Sequence, residues 1–540
     1  MKEFTSPLAA LEHWETTAPD NIFLRQPFNR VLKDYTFKEA GEEIRSMAAA
    51  LQALDIPPKS HIGLISKNCA HWIMSDLAIM MAGHVSIPIY PTLDAKTIKL
   101  ILEHSESKAV IIGKLDDYES QRPGIPEIYK IGIKAYGVEE DLSWEDLVAR
   151  YEPLQEYQEP QKDDLITIIY TSGTTGVPKG VMHTAGNFSQ YLNSALNILD
   201  FLGNPRFFSF LPLSHVAERL AVGLQGVYRG ASISFPESLD TFAEDLELTK
   251  PHFFFAVPRI WAKFQEKILE KMPQKKLDRL LGIPILRGVV KKKIVRKLGL
   301  SESQYCVSGA APIARSLQEW YQKLGIIVHQ AYGMTEDCIL SHYNLPGANK
   351  FGTVGQVLPG AKGKLSPIGE ICVKSDVLTK GYFKEPELTA EMFDEEGYLK
   401  TGDIGEYDHD GYLTITGRVK DQFKTDKGKY IAPAPIELEL SKNPYIEQIC
   451  LVGMGIPQPI ALIITNQAAK NTPKEEVDAS IIQSIDELNP SLEKYERVAK
   501  AVIMKEDWSV DNGLLTPTLK VKRNQVEKIH MPMYKTWFAK

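Results

Sequence analysis

The sequence predicts an α/β fold with a large N-terminal domain and a small α+β C-terminal domain. Short apolar runs alternate with helical patterns along most of the chain, which is typical of mostly parallel sheets with helices on both faces. Near residue 365 the alternation gives way to strands set among Gly and Asp turns, which indicates a small antiparallel β unit. Short strands and helices mix again after residue 418, so we expect domains of residues 1–417 and 418–540.

The first predicted helix covers residues 36–53. Its apolar side chains recur at helical spacing, and the hydroxyl of Thr36 is suited to cap its first turn. A second helix is predicted over residues 70–82. Predicted strands beside these helices cover residues 61–66, 85–90 and 109–113. The order strand, helix, strand favours parallel pairing, because parallel neighbours need a crossover connection.

The same alternation continues through the rest of the chain. Predicted strands of the N-terminal domain cover residues 166–170, 207–211, 253–257, 305–307 and 326–329. Helical patterns between them cover residues 260–272 and 313–324. Predicted strands of the antiparallel unit cover residues 370–374, 398–400 and 412–416. In the C-terminal domain the predicted elements are strands at residues 449–452 and 461–465 and a helix at residues 474–488.

Composition argues against several classes of protein. Apolar residues make up 44% and charged residues 24% of the 540, an ordinary globular balance with ample material for a core. The net charge of −7 argues against a general nucleic-acid binder. The five cysteines are scattered without a CxxC pair, which argues against a disulfide framework or a zinc site.

No membrane span or secretory signal is predicted. The longest apolar stretch, residues 72–90, carries Asp76 and His84 and breaks at Gly83, so we expect a buried helix and a strand there. The first residues lack a basic segment followed by an apolar run. We therefore expect a cytoplasmic protein in a reducing compartment, which agrees with the scattered cysteines.

The clearest functional signal is the loop at residues 170–180. It reads YTSGTTGVPKG and follows a predicted strand. Its glycines let a backbone approach a ligand closely, and its amides and hydroxyls donate hydrogen bonds to phosphate oxygens. Lys179 adds a positive charge. The spacing differs from GxxxxGK[ST], so we interpret it as another kind of phosphate-binding loop, with a flexible linker as the alternative.

This loop resembles the signature of the adenylate-forming superfamily, which includes acyl-CoA synthetases, luciferases and peptide-synthetase adenylation domains. Four further motifs stand in that family's order, and the resemblance spans residues 35–525. They are QAYGMTE at residues 330–336, TGD at 401–403, GRVKDQFK at 417–424 and LTPTLK at 515–520. The resemblance implies that the protein activates a carboxylic acid with ATP, and that its C-terminal domain is mobile.

The reaction implied by this resemblance brings two anions together. A carboxylate attacks the α-phosphate of ATP, pyrophosphate leaves, and a mixed anhydride with AMP forms. Cations and oriented dipoles must therefore stand at the α-phosphate and at the leaving pyrophosphate. Magnesium (Mg2+) is the expected ion, because carboxylates and nucleotide phosphates commonly hold it. Coenzyme A would then accept the acyl group.

The resemblance also implies where the nucleotide is bound. Tyr332 and Gly333 would lie at the adenine, and Thr335 would contact the α-phosphate. Glu336 would help to place magnesium, with an ordinary surface carboxylate as the alternative. The residues expected to hold the β- and γ-phosphates are Thr171, Ser172, Gly173, Thr174, Thr175 and Lys179.

Residues around the domain boundary complete the expected site. Asp403 would accept hydrogen bonds from the ribose hydroxyls, and Arg418 would reach the ribose or the phosphates; a turn aspartate and a surface salt bridge are the alternatives. Lys420 matches the family's hinge position, with a solvated lysine as the alternative. Gly428 lies in the loop expected to enter the site for thioester formation.

Lys520 is the residue for which the resemblance implies the most specific catalytic role. In the family a lysine of the mobile domain bridges the substrate carboxylate and the α-phosphate, and Lys520 occupies its position. The family's usual pattern ends in Thr-Gly-Lys, whereas this chain reads Thr518-Leu519-Lys520. Lys522 and Arg523 stand close by, so a basic cluster facing phosphate or membrane is the alternative.

Two segments point to a fatty acid as the substrate. LPLSHVAER at residues 211–219 and VPRIW at residues 257–261 resemble segments of long-chain fatty acyl-CoA synthetases. His215 is then expected near the acyl entrance or the adenylate, and Trp261 would gate a fatty-acid tunnel; packed structural roles are the alternatives. One methylene separates chain lengths by only about 1–3 kcal/mol, so we expect medium-to-long chains with broad tolerance.

The segment SGAAP at residues 308–312 matches the family's pocket for the acyl chain and adenine. Its small residues leave room for ligand: Gly309 and Ala310 on the nucleotide side, Gly309 and Ala311 on the acid side. Three alternatives to a CoA ligase stay open: a ligase that keeps the adenylate or loads a carrier protein, a luciferase-type oxidase, and a non-catalytic nucleotide binder.

One segment is strongly basic, although the net charge of the chain is negative. Residues 291–297 read KKKIVRK and form either a peripheral contact with anionic lipid or a solvated helix face. We expect fatty acid, ATP and CoA as partners, no nucleic acid, and a monomer or homodimer.

Overall fold

The computed structural model describes residues 2–172, 178–510, 512–516 and 520–539. Within them, one large sheet has eight strands. In spatial order these are Gly381–Tyr382, Pro178–Thr184, Leu165–Ser172, Val85–Ile89, His61–Ile65, Ala109–Ile112, Tyr129–Gly132 and Leu142–Ser143. The first three pair antiparallel, and every later pair is parallel. The described ends of the phosphate-loop motif therefore belong to two antiparallel strands at one side of a parallel sheet.

A second large sheet has nine strands within the described residues. In spatial order these are Gln356–Val357, His342–Tyr343, Val328–Tyr332, Tyr305–Ser308, Phe253–Ala256, Arg206–Phe208, Ser232–Ser234, Ile22–Phe28 and Val31–Thr36. The central strands pair parallel, and both edges pair antiparallel. Because parallel strands end at one edge, the segments after residues 308 and 332 open on the same side.

Three smaller sheets follow. The antiparallel sheet contains Ala361–Leu365, Glu370–Ser375, Leu399–Tyr407 and Leu413–Arg418. A two-stranded ribbon pairs Phe423–Lys424 with Tyr430–Ile431. The C-terminal sheet contains Ile446–Val452, Ile460–Thr465 and Lys500–Ile503, of which the last pair is parallel. This arrangement confirms the predicted α/β class with an antiparallel unit before the C-terminal part.

Helices cover both large sheets. Those of the N-terminal part are Pro7–Thr17, Phe37–Gln52, Ala70–Met81, Ala95–His104, Tyr118–Gln121, Trp144–Arg150, Ala185–Ile198, Val216–Glu218, Gln225–Arg229, Phe242–Thr249, Pro258–Lys271, Gln274–Gly282, Pro284–Lys297, Arg315–Leu324 and Pro386–Glu391, with a π-helical segment at Arg219–Leu224. Those of the C-terminal part are Pro433–Leu440, Gln467–Lys470, Lys474–Leu488, Arg523–His530 and Tyr534–Ala539.

Local sequence signals explain several boundaries. Thr36 caps the helix Phe37–Gln52 in a capping box with Glu39, as its hydroxyl predicted. The strand predicted at residues 207–211 is wrong at its end, since the strand stops at Phe208. The reason is that the backbone amide of Phe210 donates to the buried carboxylate of Glu218, 3.0 Å away, instead of to a neighbouring strand.

A buried ion pair links the helix Ala70–Met81 to the π-helical segment Arg219–Leu224. Arg219 donates two hydrogen bonds to Asp76, of 2.6 and 2.9 Å, and both side chains are about fully buried. Its third bond, of 2.6 Å, goes to Thr167 on the strand before the phosphate loop. Pairing satisfies both charges, which an isolated buried charge could not achieve. The segment carrying His215 is thereby fixed to the phosphate-loop strand.

The C-terminal part has hydrophobic clusters of its own. Both contain only residues from Phe423 onward. Arg259, at the start of the helix Pro258–Lys271, forms an ion pair with Glu447 of the C-terminal sheet, and both side chains are partly exposed. All five cysteines are buried and carry free thiols. No helix within the described residues combines the length and apolarity that a bilayer crossing requires.

Candidate active site

The QAYGMTE motif forms a buried turn at the end of the strand Val328–Tyr332. Thr335 and Glu336 lie in one 3₁₀ turn, and both are buried. Gly333 leads into it, where an added Cβ would stand 2.5 Å from the backbone of Ile339, so a larger residue does not fit. The turn holds a hydroxyl and a carboxylate side by side at the edge where the parallel strands end.

Glu336 faces a tyrosine and a lysine. The hydroxyl of Tyr382 donates a 2.8 Å hydrogen bond to Oε1 of Glu336, and Lys179 Nζ lies 5.1 Å from the centre of the Tyr382 ring. Burial raises the pKa of Glu336, and the Tyr382 bond opposes this. Oε2 of Glu336 has no hydrogen-bond partner among the residues the structure describes. The donor set fits a magnesium ion, which prefers carboxylate oxygens and phosphates.

Lys179 reaches the site from the strand Pro178–Thr184. It pairs with Thr171 across the antiparallel ladder, so the two residues stand at the same level of the hairpin. Three predicted phosphate contacts, Gly173, Thr174 and Thr175, lie outside the described residues, as does the side chain of Ser172. Their roles stay predictions.

His183, on the same strand as Lys179, supports the turn that carries Thr335. Its Nε2 lies 2.8 Å from the backbone oxygen of Thr335, and its Nδ1 lies 3.3 Å from the sulfur of Cys338. Because a carbonyl oxygen only accepts, Nε2 carries the proton and Nδ1 accepts from the thiol. Burial lowers the pKa of His183 to about 4, so the ring is neutral at pH 7.

Asp403 links the nucleotide motif to the domain boundary. Its Oδ2 accepts a 2.8 Å hydrogen bond from the hydroxyl of Tyr332, and its Oδ1 accepts one of 2.7 Å from Arg418. The carboxylate raises the pKa of Arg418, and burial together with Asp403 raises that of Tyr332. A fixed carboxylate with one cationic neighbour is suited to accept hydrogen bonds from sugar hydroxyls.

Lys520 lies in the same cluster of charges. Although its side chain is solvent-exposed, the surrounding protein and the charge of Arg418 lower its pKa to about 8, and Asp403 opposes both. Burial lowers the pKa of His215 to about 4, and the charge of Lys520 contributes. The C-terminal lysine and the histidine of the LPLSHVAER segment therefore face one cleft.

Two buried side chains hold the segment before His215. The amide of Asn68 donates to Ser209 Oγ at 2.8 Å and to the Leu211 backbone oxygen at 2.6 Å. Glu218 accepts from Ser209 Oγ at 2.8 Å, and its second oxygen has no partner within the described residues. Burial raises the pKa of Glu218 to about 8, so this carboxyl is mainly protonated at pH 7.

The SGAAP segment is a tight turn at the end of the strand Tyr305–Ser308. A Cβ at Gly309 would stand 3.1 Å from the ring of Phe255, so a larger residue there would require a small shift of that ring. Ala310 has a φ of 65°, in the left-handed region that costs non-glycine residues roughly 1 kcal/mol. Ala310 and Ala311 are half-buried, so small side chains line this part of the cleft.

The structure does not bring three predicted residues into this cluster. Trp261 is fully buried in a hydrophobic cluster, 5.0 Å from the ring of Tyr321, so in this conformation it is a core aromatic. Gly428 is exposed in the turn of the small ribbon with a φ of 77°, and Lys420 is exposed in a 3₁₀ turn after Arg418. Their gating, thioester and hinge roles stay predictions.

Four contributors to the site were not predicted: Asn68, His183, Glu218 and Tyr382. Glu218 belongs to the LPLSHVAER segment, so a charged residue beside the predicted His215 was the available signal. The others lie far along the chain from the side chains they contact, and no spacing in the sequence marks them. They are found only when the strands are placed side by side.

Comparison of the sequence with protein-family models assigns both parts of the chain that form the site. Residues 11–383 match the model described as AMP-binding enzyme, which is more than half of the chain. The chain belongs to the AMP-binding enzyme family. Residues 420–532 match the model of the AMP-binding enzyme C-terminal domain, the part that carries Lys520.

Curated relatives cover nearly the whole of this AMP-binding enzyme. It is 29% identical to the long-chain-fatty-acid–CoA ligase FadD15 of Mycobacterium bovis, over 95% of this chain and 94% of the relative. It is also 29% identical to the peroxisomal long chain acyl-CoA synthetase 7 of Arabidopsis thaliana, over 91% of this chain and 80% of the relative.

Solved structures share the fold. The anthranilate CoA ligase AuaEII in complex with anthranoyl-AMP superposes with a TM-score of 0.80 over 98% of both chains, at 21% identity. MatB from Rhodopseudomonas palustris, bound to ATP, gives a TM-score of 0.77 over 98% of this chain and 99% of its own, also at 21% identity. At this identity the likeness establishes the fold alone.

Proposed function

We propose that this protein is an ATP-dependent fatty acid–CoA ligase that acts through an acyl-adenylate. The carboxylate of a medium-to-long-chain fatty acid attacks the α-phosphorus of ATP, and pyrophosphate leaves. The thiol of coenzyme A then attacks the acyl carbonyl, and AMP leaves. The observation that carries the proposal is the charge cluster in which Lys520 joins Arg418 and Asp403 at the cleft. The names of the relatives support the fatty acid as substrate class.

Positive charge would govern the first step. Two anions must approach each other, so the ammonium of Lys520 would lie between the fatty-acid carboxylate and the α-phosphate. Lys179, in the hairpin, would face the leaving pyrophosphate. Thr335 would donate its hydroxyl to the α-phosphate from a backbone position that His183 fixes. These groups are held by strands and turns before substrate arrives, so little reorganisation is needed during the reaction.

Glu336 is the residue that would hold magnesium. One of its oxygens accepts from Tyr382, and the other is left for a cation, while Lys179 is near enough to share the phosphates. When bound, such an ion neutralises charge on the phosphate oxygens. Asp403 and Tyr332 would bind the ribose and adenine, which fixes the α-phosphate against Thr335.

The second step would use a different position of the C-terminal domain. We place the domains at residues 1–417 and 418–540, with Lys420 as the hinge and Gly428 in the loop that enters the site. The family models support this division, since one ends at residue 383 and the other begins at residue 420. The exposed 3₁₀ turn Val419–Asp421 lies between the antiparallel sheet and the ribbon, where a backbone rotation disturbs few contacts.

The acid would enter beside His215 and the small residues Gly309 and Ala311. An apolar tunnel distinguishes neighbouring chain lengths weakly, because one buried methylene contributes about 0.8 kcal/mol. Trp261 would have to leave its cluster to act as a gate. We also propose a cytoplasmic protein with peripheral membrane contact, where fatty acids partition, and a monomer or homodimer.

Pyrophosphate release is the decisive measurement. Acids from acetate to stearate are supplied with ATP and magnesium, with and without CoA, to the wild type and Lys520→Ala. We expect release that requires a fatty acid, continues as CoA is consumed, and falls at least about 100-fold in the variant. Lys522→Ala is the matched control for loss of a neighbouring positive charge.

The same measurement separates the alternatives. One pyrophosphate per enzyme molecule, with or without CoA, would mean that another acceptor such as a carrier protein takes the acyl group. Release with acetate or propionate alone would overturn the fatty-acid assignment. ATP binding without release for any acid would mean a nucleotide binder.

A further inference from the structure

The helical hairpin formed by Gln274–Gly282 and Pro284–Lys297 directs large apolar side chains into solvent. Ile285 is 86% exposed and Val289 is 65% exposed, and they are joined by Ile283 at 41% and Leu286 at 38%. No other seven-residue stretch within the described ranges exposes four large apolar side chains. Contiguous exposed apolar surface on a soluble fold marks a site of interaction.

The opposite side of this hairpin is firmly anchored. Leu277 and Ile294 are buried in the hydrophobic cluster that also contains Trp261. The exposed residues are therefore not part of a loosely packed element; they lie on the outer side of helices whose inner side is core. The hairpin therefore shares a hydrophobic cluster with the aromatic that we propose as the gate of the acyl tunnel.

The hairpin is also strongly basic. Residues 274–297 contain nine Lys or Arg and one Asp, in a chain with a net charge of −7. Lys292, Lys293 and Arg296 are exposed and have no ion pair among the residues described. Lys297, by contrast, pairs with Glu247 at 3.0 Å.

Apolar and basic residues are separated along the second helix. The exposed apolar residues occupy its first turns, where Arg287 is the one basic residue and donates to the Leu281 backbone oxygen. The other basic residues occupy the last turns, and Ile285 and Lys292 are about 10 Å apart along the axis. Apolar side chains of interfacial helices reach roughly 5–10 Å into the boundary of headgroups and acyl chains. The separation therefore matches insertion of the apolar end while the basic end meets the headgroups.

We propose that this hairpin patch, consisting of Ile283, Ile285, Leu286, Val289, Lys292, Lys293 and Arg296, docks on a membrane surface of anionic lipid. An anionic bilayer matches both parts of the patch, because its apolar interior accommodates the apolar side chains and its negative headgroups attract the basic ones. A protein partner would need an acidic rim around an apolar groove. The proposal deepens the proposed function, because docking would bring membrane-dissolved fatty acid close to the acyl tunnel. Only this delivery of fatty acid rests on the proposed function; the docking itself does not.

Vesicle binding tests the patch without any catalytic step. Wild type is sedimented with phosphatidylcholine vesicles that contain or lack phosphatidylglycerol, in the absence of ATP, acid and CoA. We expect binding only with the anionic lipid, and binding that weakens as salt is raised. K292E/K293E/R296E should weaken it at least about 100-fold, and I285S/V289S about tenfold.

Matched controls keep the outcome specific. K38E/K474E/K494E makes the same change of net charge at exposed lysines elsewhere, and L202S/L239S removes equally exposed apolar groups. Both should bind vesicles like the wild type. All four variants should release pyrophosphate with octanoate in vesicle-free solution at the wild-type rate, so folding and chemistry are tested separately.

Two results would overturn the proposal. Equal vesicle binding by the hairpin and control variants would mean that the patch does not meet lipid. Loss of a dimer in sedimentation velocity for I285S/V289S, with vesicle binding absent in the wild type, would assign the patch to a second copy of the chain. Failure of pyrophosphate release with intact vesicle binding would overturn the proposed function alone.

Discussion

Tyr332 donates a 2.8 Å hydrogen bond to Asp403, although the two residues are 71 positions apart and lie on different sheets. The bond fixes the carboxylate that we propose for ribose binding, together with Arg418 on its other oxygen. The motifs that we propose for adenine and ribose, QAYGMTE and TGD, are therefore held together by a hydrogen bond before ATP is bound.

Tyr332→Phe is expected to raise KM for ATP about three- to tenfold with little change in kcat, since one hydrogen bond is worth roughly 1 kcal/mol. Steady-state pyrophosphate release at varied ATP measures both constants. Tyr412→Phe is the control, because its hydroxyl donates to the Ala348 backbone oxygen at 3.0 Å in the same region. An unchanged KM in Tyr332→Phe, or an equal rise in Tyr412→Phe, would contradict the proposed role.

The pKa of Lys520 predicts a pH dependence. The surrounding protein and the charge of Arg418 lower that pKa to about 8, so the ammonium loses its proton as pH rises through this value. The kcat/KM for ATP, which reports the free enzyme, should therefore fall above about pH 8. Lys520→Arg should be slower at pH 7 but lack this alkaline decline, because its guanidinium stays charged. The same alkaline decline in both proteins would assign it to another group.

Glu218 predicts a dependence of stability on pH. Burial raises its pKa to about 8 from 4.5, so between these values the folded protein holds a proton that the unfolded chain has released. The contribution of Glu218 to the free energy of unfolding should therefore fall from about pH 5 to 8. Glu218→Gln removes this contribution, so from pH 5 to 8 the free energy of unfolding of the wild type, measured by urea, should fall relative to that of the variant by about 1 kcal/mol or more.

Asp337 is a second buried acid whose pKa is raised to about 8, so the wild type and the variant share its contribution. The difference between the two curves isolates Glu218. Parallel curves from pH 5 to 8 would show that Glu218 is ionised in the folded state.

His183 is a positioning residue for Thr335. His183→Ala removes the 2.8 Å bond to the Thr335 backbone and should lower kcat about tenfold or more, while KM for ATP changes little. Cys338→Ser keeps a donor for Nδ1 and should behave like the wild type. His329→Ala is the control for loss of a buried imidazole, since its Nδ1 bonds the Asn344 backbone oxygen instead. Equal losses in His183→Ala and His329→Ala would indicate a structural effect only.

Periodicity and turn residues were enough to predict the parallel sheets, the antiparallel unit and the capped helix after Thr36. These features depend on neighbours in the chain, and their local preferences agree with the fold. The pair of Arg219 and Asp76 was not predictable in this way, because the two residues are 143 positions apart and meet only after both sheets form. The residues near position 210 were misjudged for the same reason, since a distant buried carboxyl decides where the strand stops.

In the candidate site, too, residues inside sequence motifs were predictable and residues outside them were not. Residues inside the five motifs, such as Lys179, Asp403 and Lys520, were predicted by resemblance, and their neighbours support the predicted chemistry. Tyr382, which bonds Glu336, lies outside every motif. A sequence pattern therefore predicts the groups that would touch the nucleotide better than the groups that hold them in place.

In the proposed mechanism, the ion pair between Arg259 and Glu447 would make the balance between two domain arrangements sensitive to ionic strength. Both side chains are partly exposed, so dissolved ions screen their attraction. A pair of this kind contributes at most about 1 kcal/mol, which corresponds to a shift of about fivefold in the populations it connects. In the proposed mechanism, raising salt would therefore shift the population away from the arrangement that presents Lys520, and the two half-reactions would respond to salt in opposite directions.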